Sequence, residues 1–293
     1  MGGELDQSAI ERYRRTGALS PFRVFDEAEA ARLRGALEAV EAERGPVFTE
    51  NRPRPGDMIR GSYRFKSHLL FRWLAEVVRT PRILDLVEDL IGPDILCWTT
   101  HWFIKEAHSP QYVSWHQDSR YWGVESDRFV SVWLALSPAT RASGCLRVLP
   151  GSHLKPPMEH EDTWSEHNML TRGQSINGID EARALELELA PGEVALFDYR
   201  LAHASAPNTS DDRRIGIGIR YIAPSARQVQ ADWDSASLVR GSDRFGHFEP
   251  EPEPSCDFDP VAVAFHERAD AEQRKIYYQG ATTAGDRDHA AAG

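Results

Sequence analysis

From Ile95 to Ile222 the sequence breaks into short runs of β-branched and aromatic residues separated by Pro, Gly and Asn. That texture belongs to a chain that must pair many short strands. Strands are expected over Ile95 to Ile104, Phe129 to Leu136, Cys145 to Leu149, Val194 to Tyr199 and Ile215 to Ile222. In the last of these, Ile215, Ile217, Ile219 and Tyr221 alternate with Gly216, Gly218 and Arg220, a period of two with one apolar face. A mainly β fold with flanking helices follows, arranged as a sandwich or a jelly-roll barrel.

Helical signals lie on either side. Asp26 is placed to cap a segment with Ala30, Leu33, Leu37 and Val40 at helical spacing, ended by Gly45. Thr80 as N-cap, Pro81 at the first helical position and Gly92 past the end frame a second helix. A last helix is expected from about Val261 to Tyr277, after a stiff, solvated connector Pro250-Glu-Pro-Glu-Pro254, with fraying after Gly280. No repeat or long linker divides the chain. A single domain over 1–293 is expected: helical support over 1–92, a β core over 93–225, and a C-terminal extension with one helix over 226–293.

Charge narrows the partners. The 293 residues carry 34 basic and 45 acidic side chains, a formal net charge of -11, which disfavours nucleic acid and anionic membranes as partners. No run approaches the roughly 20 apolar residues of a membrane helix, and Met1 to Ile10 lacks a signal core, so a cytoplasmic protein is expected. Cys97, Cys145 and Cys256 are far apart and read as reduced, buried thiols.

The chemistry centres on His116-Gln117-Asp118. On a strand, His116 and Asp118 project to one face, where an imidazole and a carboxylate fill two adjacent positions around a metal. The triplet alone is weak. With 11 histidines and 45 acidic residues, chance supplies roughly one or two His-x-acid triplets, and the chain has three: His116/Asp118, His160/Asp162 and His247/Glu249. The last two lie in acidic, Pro-containing stretches and read as solvated loop histidines. His116 sits beside the expected strands, where a rigid buried site can be built.

A second histidine, His203, follows the expected strand Val194 to Tyr199, and Arg213 and Arg214 open the strand Ile215 to Ile222. Taken alone, His203 reads as a satisfied core histidine. A buried Arg214 needs an anion, and its fork suits a carboxylate; the alternative is an edge residue pairing with Asp211 or Asp212.

The ordered motifs Trp115-His116-Gln117-Asp118, Gly144-Cys145-Leu146-Arg147-Val148-Leu149-Pro150-Gly151-Ser152-His153 and His203-x-Ser205-x-x-Asn208-x-Ser210-x-x-Arg213-Arg214 resemble the phytanoyl-CoA dioxygenase family over about residues 60–225. Members of that family are Fe(II)- and 2-oxoglutarate-dependent oxygenases on a double-stranded β-helix, a jelly-roll, cupin-like core. The resemblance implies that His116, Asp118 and His203 hold Fe(II). It implies that Arg214 clamps the distal carboxylate of 2-oxoglutarate, with Ser205 bonding the same group. Trp133 and Lys105 match positions lining that pocket; core packing and a surface charge are their alternatives. His153 reads as part of a turn.

Related halogenases carry Ala or Gly where this chain has Asp118, so the resemblance favours hydroxylation of a small molecule with O2 as oxidant and succinate and CO2 as co-products. Two other readings stand beside it: a cupin-like isomerase or hydrolase using a non-redox metal, and a non-catalytic binding protein of the same fold. Five of the eight tryptophans (Trp98, Trp102, Trp115, Trp122, Trp133) lie between 98 and 133, either walling a pocket or packing the core. The segments Arg52 to Lys66 and His160 to Gln174 are expected at the pocket mouth. There Arg60, Tyr63, Lys66 and Arg172 either meet an anionic substrate group or are merely solvated.

Overall fold

A computed structural model describes residues 3–49, 62–163, 165–170 and 174–277. The larger sheet has seven strands in the order Ala18–Arg23, Glu193–Phe197, Phe129–Ala135, Arg214–Ile222, Ile95–Lys105, Ser235–Arg240 and Glu249–Pro250. The smaller has four: Val113–His116, His203–Ser205, Leu146–Val148 and Leu185–Leu187. The fold is mainly β with flanking helices. Among the described residues no helix is long and apolar enough to cross a membrane.

Arg214–Ile222 lies mid-sheet, antiparallel to both neighbours, with all nine residues buried. Its Ile215, Ile217, Ile219 and Tyr221 join a core with Leu33, Leu37, Leu74 and Leu84 from the N-terminal helices. The Gly and Arg positions face the other way, toward the smaller sheet. A Cβ on Gly216 would lie 1.9 Å from Trp133 Cζ2, so only glycine lets the indole cross this strand. A second core joins the sheets through Trp133, Ala135, Ala195 and Phe197 of the larger and Leu146, Val148 and Leu187 of the smaller.

The expected helices form over Glu27–Arg44, Pro81–Ile91 and Pro260–Tyr277. Asp26 and Glu29 close a reciprocal capping box, and Gly45 takes φ 80° at the C-cap. Thr80 makes no cap bond, because its hydroxyl donates to the carbonyl of Glu76 instead. The first ninety residues are not helical throughout. Ala18–Arg23 pairs with Glu193–Phe197 at the sheet edge, where Pro21 is tolerated and Leu19 is buried.

The C-terminal extension also adds two strands, Ser235–Arg240 and Glu249–Pro250, to the same sheet. Pro250–Pro254 is not a solvated connector. The Glu251 carboxylate is wholly buried and accepts from Lys66 Nζ, Ser235 Oγ (2.8 Å) and Ser237 Oγ (2.6 Å), with His68 Nε2 at 2.9 Å. Cys97 and Cys145 are buried as expected, whereas Cys256 is exposed on the loop before the last helix. The expected fraying after Gly280 lies outside the described residues.

Candidate metal centre

His116 is the last residue of its strand, Asp118 opens a 3-10 turn, and His203 begins the neighbouring antiparallel strand directly opposite His116. The shared face expected of a strand is thus reached through a turn. His116 Nε2 stands 3.3 Å from Asp118 Oδ1, and His203 Nε2 stands 3.8 Å from Asp118 Oδ2. One ligand atom from each of the three buried residues lies within 4.8 Å of the others.

Each imidazole is set by the carbonyl two residues before it. His116 Nδ1 donates to Ser114 O, and His203 Nδ1 donates to Leu201 O, both at 2.9 Å. With the proton fixed on Nδ1, Nε2 is left to face Asp118. Burial, then the neighbouring His116, pushes the pKa of His203 down to about 3, so its ring is neutral at pH 7. Burial opposes the charge on Asp118, but His203, His116 and Arg220 outweigh it and hold its pKa at about 2. Asp118 Oδ2 is buried without a hydrogen-bond partner. Two imidazole nitrogens and an orphaned carboxylate oxygen converging on one point suit a first-row divalent ion with open positions, Fe(II) included.

His116, His203, Trp133, Phe197, Ser205 and Arg214 line one cavity. Arg214 is buried, donating from Nη1 to Gly144 O at 2.5 Å and from Nη2 to Phe103 O at 3.2 Å, with its guanidinium 5.3 Å from the Trp133 ring. The alternative pairing is not made: Asp212 bonds Arg34, and Asp211 bonds His108. Gly144 has φ 72°, and a Cβ there would meet Ala206 O at 2.1 Å, so glycine is required where the chain presents this carbonyl.

Lys105 is fully buried and not a surface charge. Its Nζ donates to Ser205 Oγ (2.7 Å), Ser205 O (3.3 Å) and Ala206 O, the three acceptors an ammonium needs. Burial, then the Arg214 charge, lowers its pKa to about 6. Trp133 serves both of its expected roles, packing between the sheets and lining this cavity.

The phytanoyl-CoA dioxygenase (PhyH) model matches residues 13–216, more than half of the chain. The chain belongs to the phytanoyl-CoA dioxygenase family. It is 35% identical to a solved structure described as the non-heme monooxygenase ThoJ in its apo form, with a TM-score of 0.77, covering 92% of this chain and 97% of that one. It is 25% identical over 230 residues to L-proline trans-4-hydroxylase of Streptomyces griseoviridis, covering 72% of this chain and 84% of that protein. Peroxisomal phytanoyl-CoA dioxygenase of Homo sapiens is 29% identical over 164 residues, covering 54% of this chain and 48% of that protein. The chain spans about half the length of the first curated relatives it matches.

Within this family member, sequence reasoning missed Arg220. It shares the inward face of its strand with Arg214, its Nη2 is 3.7 Å from Asp118 Oδ2, and its guanidinium lies over the Phe103 and Trp122 rings. The period-two alternation already placed it on that face. The tryptophans divide: Trp98, Trp122 and Trp133 line cavities, while Trp102 and Trp115 pack into cores.

His160 is not a solvated loop residue. Its Nε2 accepts the Gln117 N–H at 3.0 Å, pinning the residue between the two candidate ligands, and burial lowers its pKa to about 4. His247 is half-buried, with Nδ1 donating to Ala226 O at 3.0 Å. His153 bonds Arg14 O and stays out of the cavities described. At the expected mouth, Arg60 and Arg172 lie outside the described residues. Tyr63 packs in the core, and Lys66 is spent on Glu251.

Proposed function

We propose that this protein is an Fe(II)- and 2-oxoglutarate-dependent dioxygenase that hydroxylates a small organic molecule, with succinate and CO2 as co-products. One observation carries the reading: the two histidines of a buried His-Asp-His set line one cavity together with the buried Arg214 guanidinium. His116, Asp118 and His203 would hold the metal, and Arg214 would receive the distal carboxylate of 2-oxoglutarate. When bound, iron and 2-oxoglutarate supply the reactivity toward O2 and a substrate C–H bond.

The chain's own part is positioning. Ser114 O and Leu201 O lock both imidazoles with Nε2 inward. Gly144 O and Phe103 O hold the Arg214 fork before any ligand arrives, so little side-chain freedom is lost on binding. Ser205 lines the same end, its hydroxyl oxygen accepting from Lys105 Nζ so that its O–H is left to donate, and Trp133 and Phe197 exclude water along the cavity. Because Asp118 supplies a carboxylate, hydroxylation is proposed rather than halogenation. A non-redox isomerase or hydrolase has no use for the Arg214 end of the cavity.

The same reading takes the two sheets as the double-stranded β-helix. The chain is taken as one domain, because strands from 1–92, 93–225 and 226–293 share a sheet.

Anaerobic addition of Fe(II) and 2-oxoglutarate is expected to give a visible charge-transfer band that His116→Ala abolishes, and aerobic turnover is expected to release succinate. An unchanged band in His116→Ala, or turnover independent of O2, overturns the proposal.

A further inference from the structure

Three imidazoles around the candidate metal centre are oriented in the same way. His116, His203 and His160 each donate from Nδ1 to the carbonyl two residues earlier, at 2.9 Å in every case. Two of them turn Nε2 toward Asp118. The third, half-buried His160, turns Nε2 to the backbone N–H of Gln117 at 3.0 Å and stays outside the ligand cluster. Its ring lies edge-to-face with Tyr121, centroids 5.4 Å apart and planes at 89°. Burial lowers its pKa to about 4, so Nε2 keeps its lone pair at neutral pH.

That hydrogen bond bears on the centre because Asp118 is not on the strand. The last register pair of the ladder is His116 with His203, and Asp118 opens a 3-10 turn. Where its carboxylate points therefore depends on Gln117, which is extended at φ -119° and ψ 123° and is 2% exposed. The Gln117 side chain is anchored too, Nε2 donating to Arg200 O at 2.6 Å and Oε1 accepting the Met158 N–H at 2.8 Å. Two hydrogen bonds of opposite sense thus join Gln117 to Met158 and His160. Take the imidazole away and a buried N–H is left unpaired, a state that favours rotating the turn toward another acceptor.

We propose that His160 is a positioning residue of the metal centre. By accepting the Gln117 N–H it holds that residue extended, and so aims the Asp118 carboxylate at the point where His116 and His203 converge. The proposal rests on the dioxygenase reading in taking that set as the metal ligands. An imidazole suits the task because one nitrogen fixes the ring while the other accepts. Residues that orient metal ligands from behind are worth about 10–100-fold in metal affinity.

The test uses the full-length protein, anaerobic, with Co(II), whose visible ligand-field bands report the geometry around it, and in parallel with Fe(II) and 2-oxoglutarate. His160→Phe keeps the bulk of the ring and removes the acceptor, whereas His160→Gln restores an acceptor near the place of Nε2. Glu251→Gln breaks a buried network built from other residues and controls for lost stability. His160→Phe is expected to bind Co(II) about tenfold or more weakly and to shift its bands, while His160→Gln and Glu251→Gln keep both. Wild-type affinity and bands in His160→Phe, or the same loss in either of the other variants, overturns the proposal. His160→Leu replaces His160→Phe if the latter does not fold. Failure of both beside a folded His160→Gln makes the role one of folding and overturns the proposal as well. Co(II) binding by the wild type with no charge-transfer band from Fe(II) and 2-oxoglutarate overturns the dioxygenase reading instead and leaves the positioning role standing.

Discussion

His116 and His203 face each other across two antiparallel strands, register partners with ring centroids 4.1 Å apart. Directly opposite residues in such a ladder have the closest Cβ atoms a sheet offers. Two imidazoles so placed, each tied back to a carbonyl, present their free nitrogens to Asp118 without rearrangement.

Removing one of them should therefore cost metal and spare the fold. His203→Ala is expected to weaken Fe(II) binding more than about hundredfold, beyond the loss seen when a ligand's supporting residue is removed. Far-ultraviolet dichroism should stay unchanged. Iron content after anaerobic loading and gel filtration checks it, and full occupancy in the variant would sink it.

Lys105 should couple ligand binding to proton uptake. With its pKa lowered to about 6 by burial and Arg214, it is mostly uncharged above neutral pH, although three acceptors await its protons. A dicarboxylate beside it raises that pKa, so binding of 2-oxoglutarate at pH 7.5 should take up close to one proton. Calorimetry in buffers of different ionisation enthalpy reads this, and Lys105→Met should abolish it. The sign for stability follows: the folded apo-protein binds fewer protons than the unfolded chain between about 6 and the ordinary lysine value of 10.5, so Lys105 makes folding less favourable as pH falls across that window.

Gly216→Ala tests the close approach of Trp133. The added methyl would stand 1.9 Å from the indole, and Trp133 lies against the Arg214 guanidinium. The variant is expected to lose about 1–3 kcal/mol of stability from overpacking and to bind 2-oxoglutarate more weakly. Gly218→Ala should cost less, since its nearest neighbour is the far end of the Arg220 side chain. Denaturant midpoints and 2-oxoglutarate titrations of the two variants compare them directly.

Glu251→Gln should be costly well away from the metal. Burial alone would raise this carboxyl's pKa, but Lys66 and His68 outweigh it and hold it below the usual carboxylate range. Its depressed pKa contributes stability that is present above the ordinary value of 4.5 and is lost as pH falls toward the folded value. The variant leaves the Lys66 ammonium buried beside a neutral amide, an expected loss of about 3–5 kcal/mol at pH 7. Urea unfolding should show the gap to wild type narrowing below about pH 4. A gap that widens in acid would contradict the assignment.

Much of this was readable in one dimension. The strand Arg214–Ile222 appears where alternation predicts, and its Gly and Arg positions face the cavities for the reason that its Ile positions face the helices: side chains alternate at every residue. Arg220 lies on the face that the same alternation gives the glycines, but no motif singled it out as a site residue. Pro250–Pro254 misled, since proline density predicts stiffness and says nothing of a partner. Glu251 meets Lys66 across a separation of 185 residues, which no local pattern records.

What local chemistry determined was the set of donors and the face of the strand each would occupy, because residue type and backbone period are properties of neighbouring positions. Only the tertiary structure decided that Lys105 is buried beside Ser205 and that Glu251 is buried against Lys66 and His68. Those depend on strand pairing and burial, which the whole chain sets together.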